Sequence, residues 1–496
     1  MRLDKLICLG GRFNGRIIRG IKYGDYIIYP NTYSKYNIYE VVIPEDNFTV
    51  YFDTTFRVDK PYTSFYDFGD GVENPTLGTE TISGIDIETG ETVYKTYATY
   101  TYTTAGTYQI RTTENLYYLG SAEGSADYKP LKSVIALRSD LKDASQLLMT
   151  HENLTKFESN QKDSLDEITN TRYMFAGCRA LTTVDFSDFY LPKLTDMGYM
   201  FISCDSLKTV NFSNSVLSSV ENMDSIFASC DSLELANFSN CNLSKLTTLD
   251  LHYLSGNTII DFNFNGCDFS SLTSISGAAL GTGIKSLDFS NCKFTSLKNC
   301  ESAFSPMTKI QSINLSNADI RNVENMAWMF ADCTSLKTLK MNYVNTSNVV
   351  TMYAMFMGCE NLTDLNLSSF DTSNVTNMYG MFADCKSLTE LDLSNFDTSS
   401  ATNMYGMFQD CTSLVKLNIS NFSIGEDTNA RALLMGCSAL QELRLNNCDN
   451  ATLTKIVGVS EFPSGIIEGV TRKIYCKEAN VGELTEPEGW IFEYVD

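Results

Sequence analysis

The groups in this chain that could do chemistry are 15 cysteines, 18 methionines, two histidines and 60 carboxylates. Thiolates and imidazoles ligate zinc or act as nucleophiles, thioethers are soft ligands for haem iron or copper, and paired carboxylates cleave glycosidic bonds. Spacing decides which of these chemistries is open. His151 and His252 fall about four turns apart in the repeat described below, roughly 20 Å, too far to share a metal. Asp67 and Asp70 flank Gly69 in the string YDFGDG. Two carboxylates fall short of the six to eight oxygens that calcium takes, and an Asx-type turn with Gly69 and Gly71 at unusual dihedrals uses the same residues. So many acids make chance pairs inevitable, but within the polar column named below Asp185 and Asp288 are four turns apart, too far for a glycosidase pair. No H-E-x-x-H, phosphate-binding loop, G-x-S-x-G elbow or dinucleotide fingerprint occurs. We therefore expect no catalytic residue and no cofactor, with calcium at Asp67 and Asp70 kept as the one alternative.

The cysteines instead mark a period. They stand at Cys178, Cys204 and Cys230, then at Cys333, Cys359, Cys385, Cys411 and Cys437, in steps of 26 within each set. The gap between the sets divides into three steps of 26 and one of 25, through Gly256, Gly281 and Met307. Eleven turns follow, and a weaker twelfth precedes them at Leu147 to Phe157, shifted by one residue. A unit of this length is the signature of a solenoid. Three, six and eight residues after each mark stand apolar residues, as at Leu388, Leu391 and Leu393. This spacing predicts a short strand in every turn, paired in parallel about 4.8 Å from the next, in a rod about 55 to 60 Å long. Before the next mark, Met378, Met381 and Phe382, like Met404, Met407 and Phe408, lie three and four apart. That spacing predicts a short helix with Thr, Ser or Asn caps. Met and Phe then fill the layer between helices and sheet, which leaves a haem or copper role for the thioethers superfluous.

A second cysteine column, Cys241, Cys267, Cys292 and Cys448, alternates from turn to turn with Phe370, Phe396 and Phe422. Exchange with Phe implies a buried apolar slot and free thiols; disulfides between neighbouring turns and zinc are the other readings of the same ladder. Seven residues after each mark comes a polar column: Asp185, Asn211, Asn237, Asn263, Asp288, Asn314, Lys340, Asn366, Asp392, Asn418 and Arg444. It is either the wet side of a half-buried sheet, helped by stacked amides, or a binding face of the kind solenoids present.

The string LNLSSFDTSNVTNMYGMFADC, Leu365 to Cys385, resembles the leucine-rich repeats of the BspA-like surface proteins, over about 300 residues. That resemblance implies a cell-surface or secreted protein concerned with adhesion and host contact, and it brings no catalytic residues with it. The turns from Gly256 to Met307 drift from the family string.

Lys and Arg number 37 against 60 acids, a net charge of −23, with no basic block in the bulk of the chain. Nucleic acid and anionic membranes are poor partners for such a surface. No apolar run reaches the length of a membrane span. The start, MRLDKLICLGGRFNGRIIRG, lacks the continuous apolar core of a signal peptide. A cell-surface family without that address is expected either to have another export route, to be cytoplasmic, or to belong to a bacteriophage particle, which reaches the outside by lysis.

In order, residues 1–37 form a basic β segment, with strands either side of Tyr23-Gly24-Asp25 and with Arg2, Lys5, Arg12, Arg16, Arg19 and Lys22 opposing the acidic bulk. They either dock the chain to an acidic assembly or pack as a charged ribbon on the next domain. Residues 38–120 alternate as half-buried strands of a β-sandwich. The strings YDFGDG and YTYTTAGTYQI make this segment resemble PKD-type immunoglobulin-like domains, with Tyr66 and Tyr100 where that family commonly has Trp and His. A Gly- and Ser-containing junction with Pro130 leads to the leucine-rich repeat solenoid, 127–450, opened by KSVIAL, and residues 451–496 form a C-terminal β cap. The fold expected is mainly β with short helices. The function expected is non-enzymatic: an adhesion or receptor-binding protein on a bacteriophage virion that meets host glycan or protein through the solenoid and other virion proteins through its N-terminal region. A bacterial cell-surface adhesin and a scaffolding virion component are the alternatives.

Overall fold

The computed structural model describes residues 6–13, 16–23, 26–28, 37–44, 48–53, 66–72, 78–85, 92–112, 118–120, 131–137, 141–157, 165–249, 260–275, 283–466 and 469–495. The chain opens with β1 (Leu6–Phe13), β2 (Arg16–Tyr23) and β3 (Tyr26–Ile28), an antiparallel meander. β4 (Asn37–Ile43), β5 (Phe48–Asp53), β6 (Tyr66–Asp67), β7 (Gly78–Ile85), β8 (Thr92–Tyr102), β9 (Gly106–Thr112) and β10 (Tyr118–Gly120) follow. They build two sheets, one in the order β10-β5-β8-β7 and the other containing β4, β9 and β6. Val41, Ile43 and Ile110 of one sheet and Val50, Tyr100 and Tyr102 of the other are buried together, and Phe68 stacks on Tyr100 at 3.8 Å.

β11 (Leu131–Ala136), the KSVIAL segment, joins this unit to the solenoid. It pairs antiparallel with β4 on one side and parallel with β12 (Lys156–Phe157) on the other. The sheet therefore runs unbroken from β6 through β9, β4 and β11 into the coils, 13 strands in all. No free edge is left at the start of the stack, where unpaired N–H and C=O groups would invite aggregation. From β12 to β23 (Glu442–Arg444) each coil gives one strand of two to five residues, parallel to the last. The strands read exposed–buried–exposed, as at Thr183, Val184 and Asp185, so one face is core and one is outside. The sheet divides once, between β20 (Asp364–Leu365) and β21 (Glu390–Asp392).

The run around Met378, Met381 and Phe382, expected as helix, is not one. Gly380 and Asp384 have φ of 54° and 60°, and Gly406 and Asp410 repeat this in the next coil at 57° each. A left-handed residue every four positions cannot continue a right-handed helix. The amides alternate instead. Met381, Ala383 and Cys385 donate three residues back within the coil, while Met378, Gly380, Phe382 and Asp384 donate to carbonyls of the next coil at 2.8 to 2.9 Å. The buried set is the predicted one, because this ribbon of turns also brings Met378, Met381 and Phe382 inward. Phe304, Phe330, Phe356, Phe382 and Phe408 stack at 5.3 to 5.6 Å from coil to coil.

Beyond the last coil, α1 (Asn450–Val457) begins at Asp449, whose carboxylate accepts the Thr452 N–H at 2.8 Å. β24 (Arg472–Cys476), α2 (Glu478–Val481) and β25 (Trp490–Tyr494) complete the cap, with β24 and β25 extending the parallel sheet. Arg472 is buried there, donating to the carbonyls of Pro463 and Ser438 at 2.8 Å each, with its guanidinium 5.2 Å from the centroid of Trp490. Among the described residues no helix is long and apolar enough to cross a membrane.

Candidate functional site

The 12 cysteines of the two ladders, like Cys300 and Cys476, are buried and stand outside any disulfide. At every mark from Cys204 to Cys437 that is a cysteine, the S–H donates to the carbonyl of a Phe 29 residues earlier, as Cys204 does to Phe175 at 3.1 Å and Cys437 to Phe408 at 3.1 Å. The second column does the same: Cys241 to Phe212 and Cys267 to Phe238. Burial pushes the thiols of Cys241, Cys292, Cys333 and Cys385 up to about 12, away from the thiolate that metal binding or nucleophilic attack requires. His151 fills the cysteine place of the first coil, buried; His252 lies outside the described residues.

The structure gathers the polar column on the outside of the sheet, and most of it is spent on the backbone. The side-chain oxygens of Asp185, Asn211, Asn237, Asn263, Asp288, Asn314, Asn366, Asp392 and Asn418 each accept the N–H two residues on, at 2.8 to 3.3 Å. These Asx turns bend the chain out of each strand. The amides of Asn211 and Asn237 also reach back one coil, to Asp185 and Asn211. Burial alone would raise the Asp392 carboxyl, but donors from Ser394 and Asn418 and the charge of Arg444 outweigh it and hold it below its usual value. Lys340 and Arg444 break the column; Lys340 is exposed and Arg444 lies 4.5 Å over the Tyr475 ring. Two further Asx columns turn the other corners, for example Asn377 to the Tyr379 N–H and Asp371 to the Ser373 N–H, giving a three-cornered coil.

Two residues before the Asx column lies another that the sequence reading did not single out. Thr183, Thr209, Leu235, Thr338, Glu390 and Lys416 occupy it, outward-facing, and their type changes from coil to coil while the Asx column hardly does. Lys416 and Glu390 pair across coils at 2.7 Å. Variation inside a near-exact repeat was the available signal.

Of the docking candidates, Arg2 and Lys5 lie outside the described residues. Arg12, Arg16, Arg19 and Lys22 fall on β1 and β2, opposite Ile17, Phe13, Gly10 and Ile7. Asp70 accepts the Tyr100 hydroxyl at 2.6 Å and the Val72 N–H at 3.2 Å, so its carboxylate holds the YDFGDG turn. Gly69 is required there, since a Cβ would stand 2.6 Å from the Gln109 carbonyl.

A third surface feature is an aromatic column. Tyr353, Tyr379 and Tyr405 stack from coil to coil at 4.9 and 5.4 Å, and Trp328 lies against Tyr353 at 5.1 Å, tilted by 60°. At the other end of the rod Tyr173 and Tyr199 stack at 5.1 Å, and Arg172 lies over both rings while pairing with Asp196.

Stacked parallel strands of this period, closed at each corner by an Asx turn and packed inside with Leu, Phe, Met and Cys, define a leucine-rich repeat solenoid. Residues 142–259, 298–390 and 339–448, together more than half of the chain, match the family described as "Mycoplasma protein of unknown function, DUF285", and the chain belongs to that family. Among curated proteins, none matches. Similar solved structures include a leucine-rich repeat protein from Eubacterium ventriosum, 17% identical over 58% of this chain and 77% of that one, with a TM-score of 0.25. The Toll chain of the Drosophila Toll–Spatzle complex is 14% identical over 71% of this chain and 47% of its own, TM-score 0.35. The TLR13 chain of a TLR13–ssRNA13 complex is 14% identical over 68% and 52%, TM-score 0.29. The chain thus spans about half the length of these last two chains.

Proposed function

We propose that this chain is a non-enzymatic adhesion protein, a rigid solenoid that offers the outer side of its sheet to a protein or glycan on another surface. The observation that carries this reading is the division of labour between two adjacent columns. The Asx column is repetitive and committed to turns, whereas the column of Thr183, Leu235, Thr338 and Glu390 varies and has no such duty. Recognition needs individuality along an extended surface, and solenoids supply it in this way. The setting we propose is display on a bacteriophage virion, with the basic β1–β2 hairpin, Arg12, Arg16, Arg19 and Lys22 included, meeting other virion proteins and the PKD-like unit acting as spacer. What supports a docking role is the contrast between the basic N-terminal strands and the acidic bulk of the chain. A bacterial cell-surface adhesin and a scaffolding component are the competing settings.

The test uses the 496-residue chain on whole bacterial and host cells and on a glycan array. Binding is expected and is expected to fall roughly tenfold or more on combining Thr338→Glu with Glu390→Lys, while loss of the exposed Glu390–Lys416 pair lowers stability by no more than about 1 kcal/mol. A folded chain that binds neither cells nor glycans would favour scaffolding. Immunogold labelling of particles, or their absence from the gene neighbourhood, separates the virion from the bacterial setting.

A further inference from the structure

We propose that the cavity between the last full coil and α1 is a binding site for a short segment of neutral glycan, separate from the sheet face. The aromatic column points to it. Trp328 leans on Tyr353 from one place out of register, and Tyr353 and Tyr379 are each followed one coil on by another ring. After Tyr405 the repeat places Arg431 instead, and the column stops. Tyr379 covers one face of Tyr405 at 5.4 Å and 11°. Tyr405 also borders a cavity of about 540 Å³ whose lining includes Glu426, Asp427, Asn429, Arg431 and Lys455. That volume lies in the range of small-ligand sites. At the other end of the rod Arg172 lies over the rings of Tyr173 and Tyr199; among the described residues Arg431 makes no such contact with Tyr405.

The departures from the repeat in this coil are concentrated at the cavity. Where the preceding coil has Ser399, Ser400, Ala401 and Tyr405, this one has Gly425, Glu426, Asp427 and Arg431. Ala401 is buried, whereas Asp427 is exposed. Among the described residues the carboxylates of Glu426 and Asp427 and the guanidinium of Arg431 form no ion pair. Their backbone is nonetheless fixed: Lys455 donates to the carbonyls of Gly425 and Glu426, the latter at 2.6 Å, and Asn429 accepts the Arg431 N–H at 3.4 Å. The result is a preformed site with an aromatic face, two acceptor groups and a fork of donors. A neutral sugar fits that chemistry. Its apolar C–H face lies on an aromatic ring, and its vicinal hydroxyls donate to carboxylates and accept from a guanidinium. An acidic sugar would meet Glu426 and Asp427, and a purely apolar ligand would strand all three charges.

The experiment is a glycan array carrying neutral and acidic oligosaccharides, probed with the whole chain and three variants. Arg431→Tyr restores the residue of the repeat and is expected to extend the ring stack over Tyr405, abolish binding to neutral glycans and leave the melting temperature unchanged or higher. Tyr405→Ala is expected to weaken binding by roughly tenfold or more. Tyr353→Ala, inside the stack, is expected to leave it intact. No neutral glycan bound, binding only to acidic glycans, or binding that survives Arg431→Tyr would each overturn the proposal. Cell binding lost in the Thr338→Glu, Glu390→Lys variant while neutral-glycan binding survives Arg431→Tyr would sink this site and leave the adhesion reading standing.

Discussion

The thiol of Cys411 donates to the carbonyl of Phe382 at 3.1 Å, one coil back, and the same carbonyl accepts the N–H of Cys385 at 3.2 Å. The second lone pair of a buried carbonyl is thereby satisfied by a side chain small and apolar enough for the core, which explains why cysteine rather than leucine or serine recurs at the mark. Replacing Cys411 by Ala removes the donor and leaves a small void. We expect a loss of about 1 to 2 kcal/mol in urea unfolding followed by circular dichroism. No measurable loss would mean the thiol is a passive filler.

Raised thiol pKa values make the fold sensitive to alkali. The thiols of Cys292, Cys333 and Cys385 titrate near 12 in the native state because of burial, against an ordinary value of 9.0. Between those values the unfolded chain has lost protons that the native chain keeps, so unfolding free energy falls as pH rises from about 9 toward 12. At the acid end the sign reverses. Asp397 is held below its usual value by the Ser399 side chain and N–H, so the stability it contributes is present above the ordinary carboxylate pKa and is lost as pH falls through the native one. Melting temperatures across pH, with a Cys333→Ala, Cys385→Ala variant to separate thiols from lysines, check this; the variant is expected to lose less of its stability between pH 9 and 11.

The two sheet columns are expected to respond oppositely to substitution. Asn211→Ala removes an Asx acceptor 3.1 Å from the Ser213 N–H and a bridge to Asp185, and is expected to cost about 1 to 2 kcal/mol. Leu235→Thr, on the neighbouring exposed column, is expected to stay within about 0.5 kcal/mol. Equal effects on thermal unfolding would erase the distinction on which the proposed function rests.

Arg472 ties the cap to the last coils through Pro463, Ser438 and Trp490. Arg472→Ala takes the donor from the Ser438 carbonyl and leaves the Pro463 carbonyl only the Trp490 indole N–H, and is expected to cost about 2 to 3 kcal/mol. Because coils touch only their neighbours, hydrogen exchange should rise first in the strands from Lys416–Asn418 to β25, while those from β12 to Ile260–Asn263 stay protected. A uniform rise along the rod would contradict that.

The solenoid was legible because its evidence is repetition: the period of 26, the buried Leu, Phe, Met and Cys positions and the strand in each coil all follow from register. The helix was not. Spacings of three and four between Met378, Met381 and Phe382 are shared by a helix and by a ribbon of tight turns, and only the left-handed Gly380 and Asp384 tell them apart. The polar column was placed correctly on the outside, but the sequence could not reveal that Asn211 and Asn237 spend their oxygens on Ser213 and Ser239. Nor could spacing show that β4 and β11 fuse the N-terminal unit to the coils, since that pairing joins residues far apart in the chain. The cavity beside Tyr405 was visible only as a lapse from the repeat at Gly425 to Arg431.

The central claim is that each coil is an interchangeable unit whose register alone builds the rod. Excision of residues 386–411, one whole coil from mark to mark, tests it most directly. The account predicts a folded protein with native-like circular dichroism, cooperative unfolding and thiols inaccessible to alkylation, whereas excision of 386–409 throws every following column out of register and yields a chain with reactive thiols and no cooperative transition. Equal tolerance of both deletions, or collapse of both, would contradict it.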